Sequence, residues 1–308
     1  MKIFYLLLIA ALVLQVVSGN MDIGLFTFPV NILVIAVILY LAFAEYRKRK
    51  KKELPPDISS KKSILVAAGA LAVCGLVILA FPQFPAEGTT GIWPFGIKLG
   101  LYGFTRSWIF AAVVLWTLIV LASFIIRKIA SRRKWGRPGF AVIITAIALW
   151  VVIAGFFLGS PDMINVRVDA YSNFATNIGT DRTGKAVTLP VNVRAEKVVT
   201  EEQSEGTLSV IYAEIRLTGK DYDRLYAIDP GRTAAAYLFK SGKWIITLDE
   251  NEFQAGSASD HCVIRMVDCP WYYVICAGCF TLVVGLILIP LTAMASSSRG
   301  RKTPPCRP

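Results

Sequence analysis

From Phe140 to Val168 the chain reads FAVIITAIALWVVIAGFFL, then GSPDM, then INVRV. The first part carries no ionisable side chain and approaches the roughly 20 apolar residues that cross a bilayer as a helix. The last part sets Ile164, Val166 and Val168 on alternate residues, the period of a half-buried strand. A membrane helix thus hands over to a β domain within Gly159 to Met163. Four further stretches, Gly24 to Ala44, Ile64 to Phe81, Trp108 to Ile126 and Trp271 to Ala295, are also apolar and lack Asp, Glu, Lys, Arg and His. The expected fold is an integral membrane α-helical bundle of five spans plus an N-terminal signal peptide or signal anchor. An extracytoplasmic all-β domain is inserted before the last span.

Short loops rich in Lys and Arg stay on the cytoplasmic side. Arg47 to Lys52 with Lys61 and Lys62, then Arg127 to Arg137, then Arg299 to Arg307 fall on one face if the spans alternate. With Lys2, that face holds 19 of the 33 basic residues against Glu45, Glu53 and Asp57, a balance of +16, which leaves −4 elsewhere and +12 for the chain. The basic pI is therefore a topology signal, and nucleic acid is not an expected partner. Anionic membrane lipids are, beneath the basic loops. The segment Ile3 to Val17 after Lys2 has the layout of a signal peptide, with Val17 and Gly19 small enough for cleavage, and equally that of a retained anchor. The expected organisation is residues 1–19 as that segment, 20–160 as membrane helices with basic loops, and 161–270 as the β domain. Residues 271–295 form the final span and 296–308 a basic tail.

Within the insert, period-two alternation recurs in Val187, Leu189, Val191, Val193, in Leu208, Val210, Tyr212, and in Trp244, Ile246, Leu248. Ser241-Gly242 suits a two-residue hairpin turn, and Asp229-Pro230-Gly231 is a second turn. Pro190 cannot donate to a ladder, so its strand is expected at an edge. Glu201 to Gly206 and Ala255 to Asp260 are expected as exposed loops. Cys276 and Cys279 spell C-x-x-C but sit in an apolar span with no polar partner to lower a thiol pKa, and read as small helix residues. Cys262 and Cys269 lie on the oxidising side, where a disulfide between them is one reading and two unpaired core thiols the other.

Chemistry-bearing patterns are few. His261 is the single histidine, so no histidine cluster can hold a metal or clamp a haem iron. It reads as a solvated or hydrogen-bonded strand-edge residue, with an accessory haem or metal contact as the alternative. Glu201-Glu202 and Asp221-x-Asp223 read as solvated acids, and no phosphate loop, dinucleotide fingerprint, nucleophile elbow or zincin helix occurs. Spans without ionisable groups also argue against an ion-coupled transporter. No catalytic residue is assigned, and the chain is expected to be a non-catalytic subunit.

The order of parts, with several short motifs, resembles the ResB-like (CcsB) family of system II cytochrome c biogenesis, of the Bacteroidetes type. Arg265-Met266-Val267-Asp268-Cys269-Pro270-Trp271 is similar to the family's Val-x-Asp-Pro-Trp approach to its final span, with Cys269 inserted. Leu158-Gly159-Ser160-Pro161-Asp162-Met163 is similar to its Gly-x-x-Asp-Met. Leu99 through Ser107-Trp108 to Arg127 resembles its second core span, and Phe28-Pro29-Val30-Asn31 its leading hairpin. The chain departs from the family at Pro138-Gly139-Phe140-Ala141-Val142, where members often carry Asn-His.

The resemblance implies a multi-pass subunit of the inner (cytoplasmic) membrane with its large domain in the periplasm. Such a subunit assists a CcsA-type membrane protein in delivering haem and attaching it to apocytochrome c. It also implies that haem is ligated by the partner rather than by this chain. Trp108, Trp116, Trp150, Gly155 and Gly278 could pack against partner helices or flank a porphyrin, or be plain lipid-facing or intrahelical packing, and Asp162 and Asp268 could orient the domain by hydrogen bonding. The rival readings are a membrane-anchored sensor or binding protein and a structural subunit of another envelope complex.

Overall fold

The structure, a computed structural model, describes residues 2–51, 58, 60–81, 96, 98–131, 137–181, 184–204, 207–230, 233–238, 242–248, 253–254 and 261–300. It divides into a helical unit, Met1–Pro161 with Trp271–Pro308, and a β unit, Asp162–Pro270. Arg132 to Gly136, Glu53, Asp57, Ser241, Gly231, Ala255 to Asp260 and the tail beyond Gly300 lie outside the described residues.

The helical unit contains α1 (Lys2–Ser18), α2 (Val30–Lys50), α3 (Lys61–Ala80), α4 (Trp108–Ala130), α5 (Arg137–Gly159) and α6 (Tyr272–Gly300). Five of these helices, α2 to α6, are long and apolar enough to cross a membrane, which makes this a multi-pass membrane protein. Local chemistry sets their ends. Ser60 Oγ accepts the Ser63 N–H at 3.1 Å and Ser107 Oγ accepts the Phe110 N–H at 3.1 Å, each satisfying a donor that a helix start leaves open. Gly19, at φ 73°, closes α1 with its N–H on the Gln15 carbonyl.

The first apolar span departs from expectation, because α2 begins at Val30 rather than Gly24. Ile23–Phe26 forms a separate 3-10 turn and Pro29 stands at the cap position. A residue before proline is pushed out of the helical region, so Phe28 cannot continue a helix into Val30.

In the middle of the unit, α4 is buried on most of its faces through Val113, Val114, Trp116, Leu118, Val120 and Ala122, and it contacts α1, α2, α3 and α5. A helix that is hydrophobic all round belongs in such a place. The α5 and α6 helices pack closely because each supplies glycines to the seam. A Cβ at Gly278 would stand 2.9 Å from Val152 Cγ2, and one at Gly155 would stand 2.7 Å from Ile275 Cγ1. Small residues let membrane helices approach until backbone contacts side chain.

Among the described residues the β unit contains nine strands. They are β1 (Ile164–Tyr171), β2 (Thr176–Asp181), β3 (Ala186–Ser204), β4 (Thr207–Gly219), β5 (Tyr222–Ile228), β6 (Thr233–Leu238), β7 (Gly242–Leu248), β8 (Phe253–Gln254) and β9 (His261–Asp268). The order across the antiparallel sheet is β5-β4-β3-β2-β1-β9-β7-β6, with β8 added to β4. The outer strands β5 and β6 approach each other, so the sheet curls into a near-barrel. Alternate residues fill it: Val166, Val168 and Ala170 from β1, Ile215 and Leu217 from β4, Ile246 from β7, and Ile264 and Met266 from β9. Each fully buried aliphatic side chain contributes about 1.5–3 kcal/mol.

Two expectations change here, and one open alternative is decided. Pro190 lies in β3, between β2 and β4 rather than at an edge. Its missing N–H is tolerated because the pairing with β4 begins only at Asn192, and the pairing with β2 shifts register between Thr188 and Val193. Glu201 to Ser204 form strand rather than loop, with Glu201 opposite Ser209 and Glu202 opposite Leu208. The hydrogen bonds of a long hairpin hold charged residues extended where no apolar alternation marks them. Finally, no disulfide joins Cys262 and Cys269. Cys262 is the second residue of β9 and Cys269 follows its last, about 23 Å apart along an extended chain.

Candidate functional site

Residues from three of the short motifs meet at one end of the helical unit. Asn31, fully buried at the start of α2, donates from Nδ2 to the Leu158 carbonyl at the end of α5, at 3.1 Å. Its Oδ1 accepts the Ile32 N–H at 2.8 Å. Beside Leu158, Gly159 lies under the ring of Trp271, where a Cβ would stand 2.5 Å from Trp271 Cγ. Phe28 and Pro29 lead the chain into this junction, Pro29 as the cap of α2 and Phe28 with its ring largely exposed.

A second polar cluster occupies the same end, because α1 finishes and α4 begins there. Gln15, fully buried, accepts the backbone N–H of Trp108 at 3.0 Å and donates to Asn20 Oδ1 at 3.0 Å. The Trp108 indole donates to Ser18 Oγ at 3.1 Å. Gly100, at φ 70°, passes so close that a Cβ would stand 2.6 Å from Gln15 Nε2. Sequence reasoning did not single out Gln15. Its signal was an amide in an otherwise apolar segment, since a buried amide in such a setting must find partners.

Several candidates serve internal packing. Trp116 lies against Phe4 with ring centroids 5.5 Å apart, and the Trp150 indole donates to the Leu118 carbonyl at 3.0 Å. Gly155 and Gly278 are used within the α5 and α6 pair.

In the β unit, Asp162 closes a short 3-10 turn, Ser160–Asp162, and Met163 is partly exposed just before β1. Pro270 is exposed. Asp268 ends β9 on the inner face, 7% exposed. Burial pushes its carboxyl above the usual carboxylate range, while the Cys269 N–H pulls the other way. His261 pairs in register with Tyr171 at the far end of β9, and its side chain lies outside the described residues. Cys262 is a free, fully buried thiol, and burial pushes it up to about 12.

Asp223 does not form an acid pair with Asp221. Arg216 grips it through two bonds of 2.8 Å, which hold its carboxyl below the usual range. Arg216 also reaches Glu196 at 3.5 Å, so it joins two acids in the open groove of about 550 Å³ along β3, β4 and β5. Among the described residues no group of three or more His, Cys, Asp or Glu could hold a metal ion. The junction around Asn31, Gly159 and Trp271 holds three helix ends together.

No family model matches the chain, and no curated protein matches it. Among solved structures, the chain is similar to a cytochrome c haem lyase, CcmF, at 12% identity and a TM-score of 0.38. The likeness covers 75% of this chain and 34% of that one, so the chain spans about a third of that structure's length.

Proposed function

We propose that this chain is a ResB-like membrane subunit of cytochrome c maturation. In this reading it assists a CcsA-type partner in carrying haem outward and attaching it to apocytochrome c, with the β domain on the periplasmic side and the basic loops in the cytoplasm. What supports the reading is the meeting of Phe28 to Asn31, Leu158-Gly159 and Trp271. These segments are far apart in the sequence, each resembles a family motif, and they join in one junction through the Asn31 bond and the Gly159 contact. The role that follows is scaffolding. The chain would order the helix ends against which a partner docks, and the partner would supply the haem ligands, since Pro138 to Val142 carries no histidine.

The test is to purify the chain in detergent with and without a CcsA-type partner and to record haem absorption of each preparation. Haem retained only by the complex, and loss of c-type cytochromes on deletion of the gene, are expected. Haem on the chain alone would assign the ligand here, with His261 as the first residue to replace. No complex and no haem would favour a sensor or a structural subunit of another assembly. Asn31→Leu, which strands the Leu158 carbonyl, is expected to cost about 1–2 kcal/mol of stability and to weaken co-purification.

A further inference from the structure

Two buried polar atoms in the β unit lack a hydrogen-bond partner, and the residues that carry them stand opposite each other in the register of neighbouring strands. Asp268 on β9 registers with Trp244 on β7, and both point into the near-barrel, at 7% and 3% exposure. Asp268 Oδ1 is an acceptor without a donor, and Trp244 Nε1–H is a donor without an acceptor. Paired residues on one face of a sheet bring their Cβ atoms to about 4.5–5.5 Å, well within the reach of an indole. A buried unpaired polar group is costly, and here each is the complement of the other.

We propose that Asp268 is a proton-binding position inside the β domain, and that its charge state makes or breaks a hydrogen bond to Trp244. Neutral, the carboxyl is tolerated among Trp244, Ile164 and Met266 with only the Cys269 N–H on its other oxygen. On losing its proton to solvent, the carboxylate demands a second donor, and the Trp244 indole N–H is the one opposite. The bond ties β7 to β9 two residues before the chain leaves the domain.

Among the described residues little else charged competes at this end. Of the described ionisable groups, Arg265 on β9 and Arg167 and Asp169 on β1 alternate onto the outer face. Asp181 of β2 registers with Val166, two strands from Asp268, and is already bonded to the Lys185 N–H at 2.9 Å. Cys262 lies at the opposite end of β9, and Asp162 precedes β1. The burial that raises the Asp268 pKa places the switch above the ordinary range of an aspartate. The sign follows from that. A raised folded-state pKa contributes stability below the unfolded-state value and loses it as pH rises through the folded-state value.

The experiment uses the full chain in detergent, labelled with 5-fluorotryptophan and followed by fluorine NMR from about pH 4.5 to about pH 9. W244F assigns the Trp244 signal, and W244Y does so if W244F does not accumulate. One titration step of the Trp244 signal inside this window, absent in D268N while the other tryptophan signals stay unchanged, is expected. With it, wild type loses stability relative to D268N as pH rises through the step. A flat Trp244 signal, or the same titration in D268N, would overturn the proposal.

Discussion

Cys262 shows how one position on a strand decides a side chain's chemistry. It falls on the inner face of β9, opposite Ala170, and is fully buried in the core of the near-barrel. With its thiol pushed up to about 12 by burial, almost none of it is thiolate at neutral pH, and the thiolate is the form that reacts. A maleimide is therefore expected to leave Cys262 unmodified in the folded chain and to modify it after denaturation, read by intact mass. Cys262→Val, close in volume, is expected to cost less than about 1.5 kcal/mol. The sequence left the two cysteines open between a bridge and separate thiols, because nothing in their spacing showed that both flank one extended strand. Asn31 was legible as part of a motif, but its bond to Leu158 depends on where two helices end.

Helix contacts carry the next set of expectations. Gly159 and Gly69 are both glycines of apolar helices, yet a Cβ meets Trp271 at the first and nothing within 4 Å at the second. Gly159→Leu is expected to force α5 from α6, to cost about 1–3 kcal/mol of stability as overpacking does, and so to lower the thermal midpoint in detergent. Gly69→Leu is expected to leave the midpoint nearly unchanged. The first helix makes a further case. Cleavage after Gly19 would strip Gln15 from the Trp108 N–H, Ser18 from the Trp108 indole and Phe4 from Trp116. The α1 helix is therefore expected to be retained, which an intact mass containing residues 1–19 would check and a mass lacking them would refute. The apolar segments were visible from composition, and their starts less so, since Pro29 and the Ile23–Phe26 turn act locally. The extent of β3 was hidden because its distal part owes its extended form to β4 and not to its own alternation.

The chain as a unit of the membrane has one testable asymmetry. If the spans alternate, as the proposed reading requires, one face carries a balance of +16, and basic loops of that kind are expected to stay inside. With native cysteines removed, Lys220→Cys in the exposed turn after β4 is expected to react with a membrane-impermeant maleimide in intact spheroplasts. A cysteine at Lys128 is expected to react only after lysis. The opposite pattern would reverse the topology and remove the periplasmic role from the β domain.

Helix-length apolar runs, the insert between them and its period-two strands follow from the chain alone. Bilayer thickness and the pleat of a strand impose their periods on any sequence that satisfies them. The junction of Asn31, Leu158, Gly159 and Trp271, the polar lock at Gln15 and the facing of Asp268 with Trp244 are different. Each joins positions that lie apart in the chain and that only a particular packing or strand register brings together. A hydrogen bond or a close contact depends on two places at once. One sequence states which residues are available at each place, and the tertiary structure decides which of them meet.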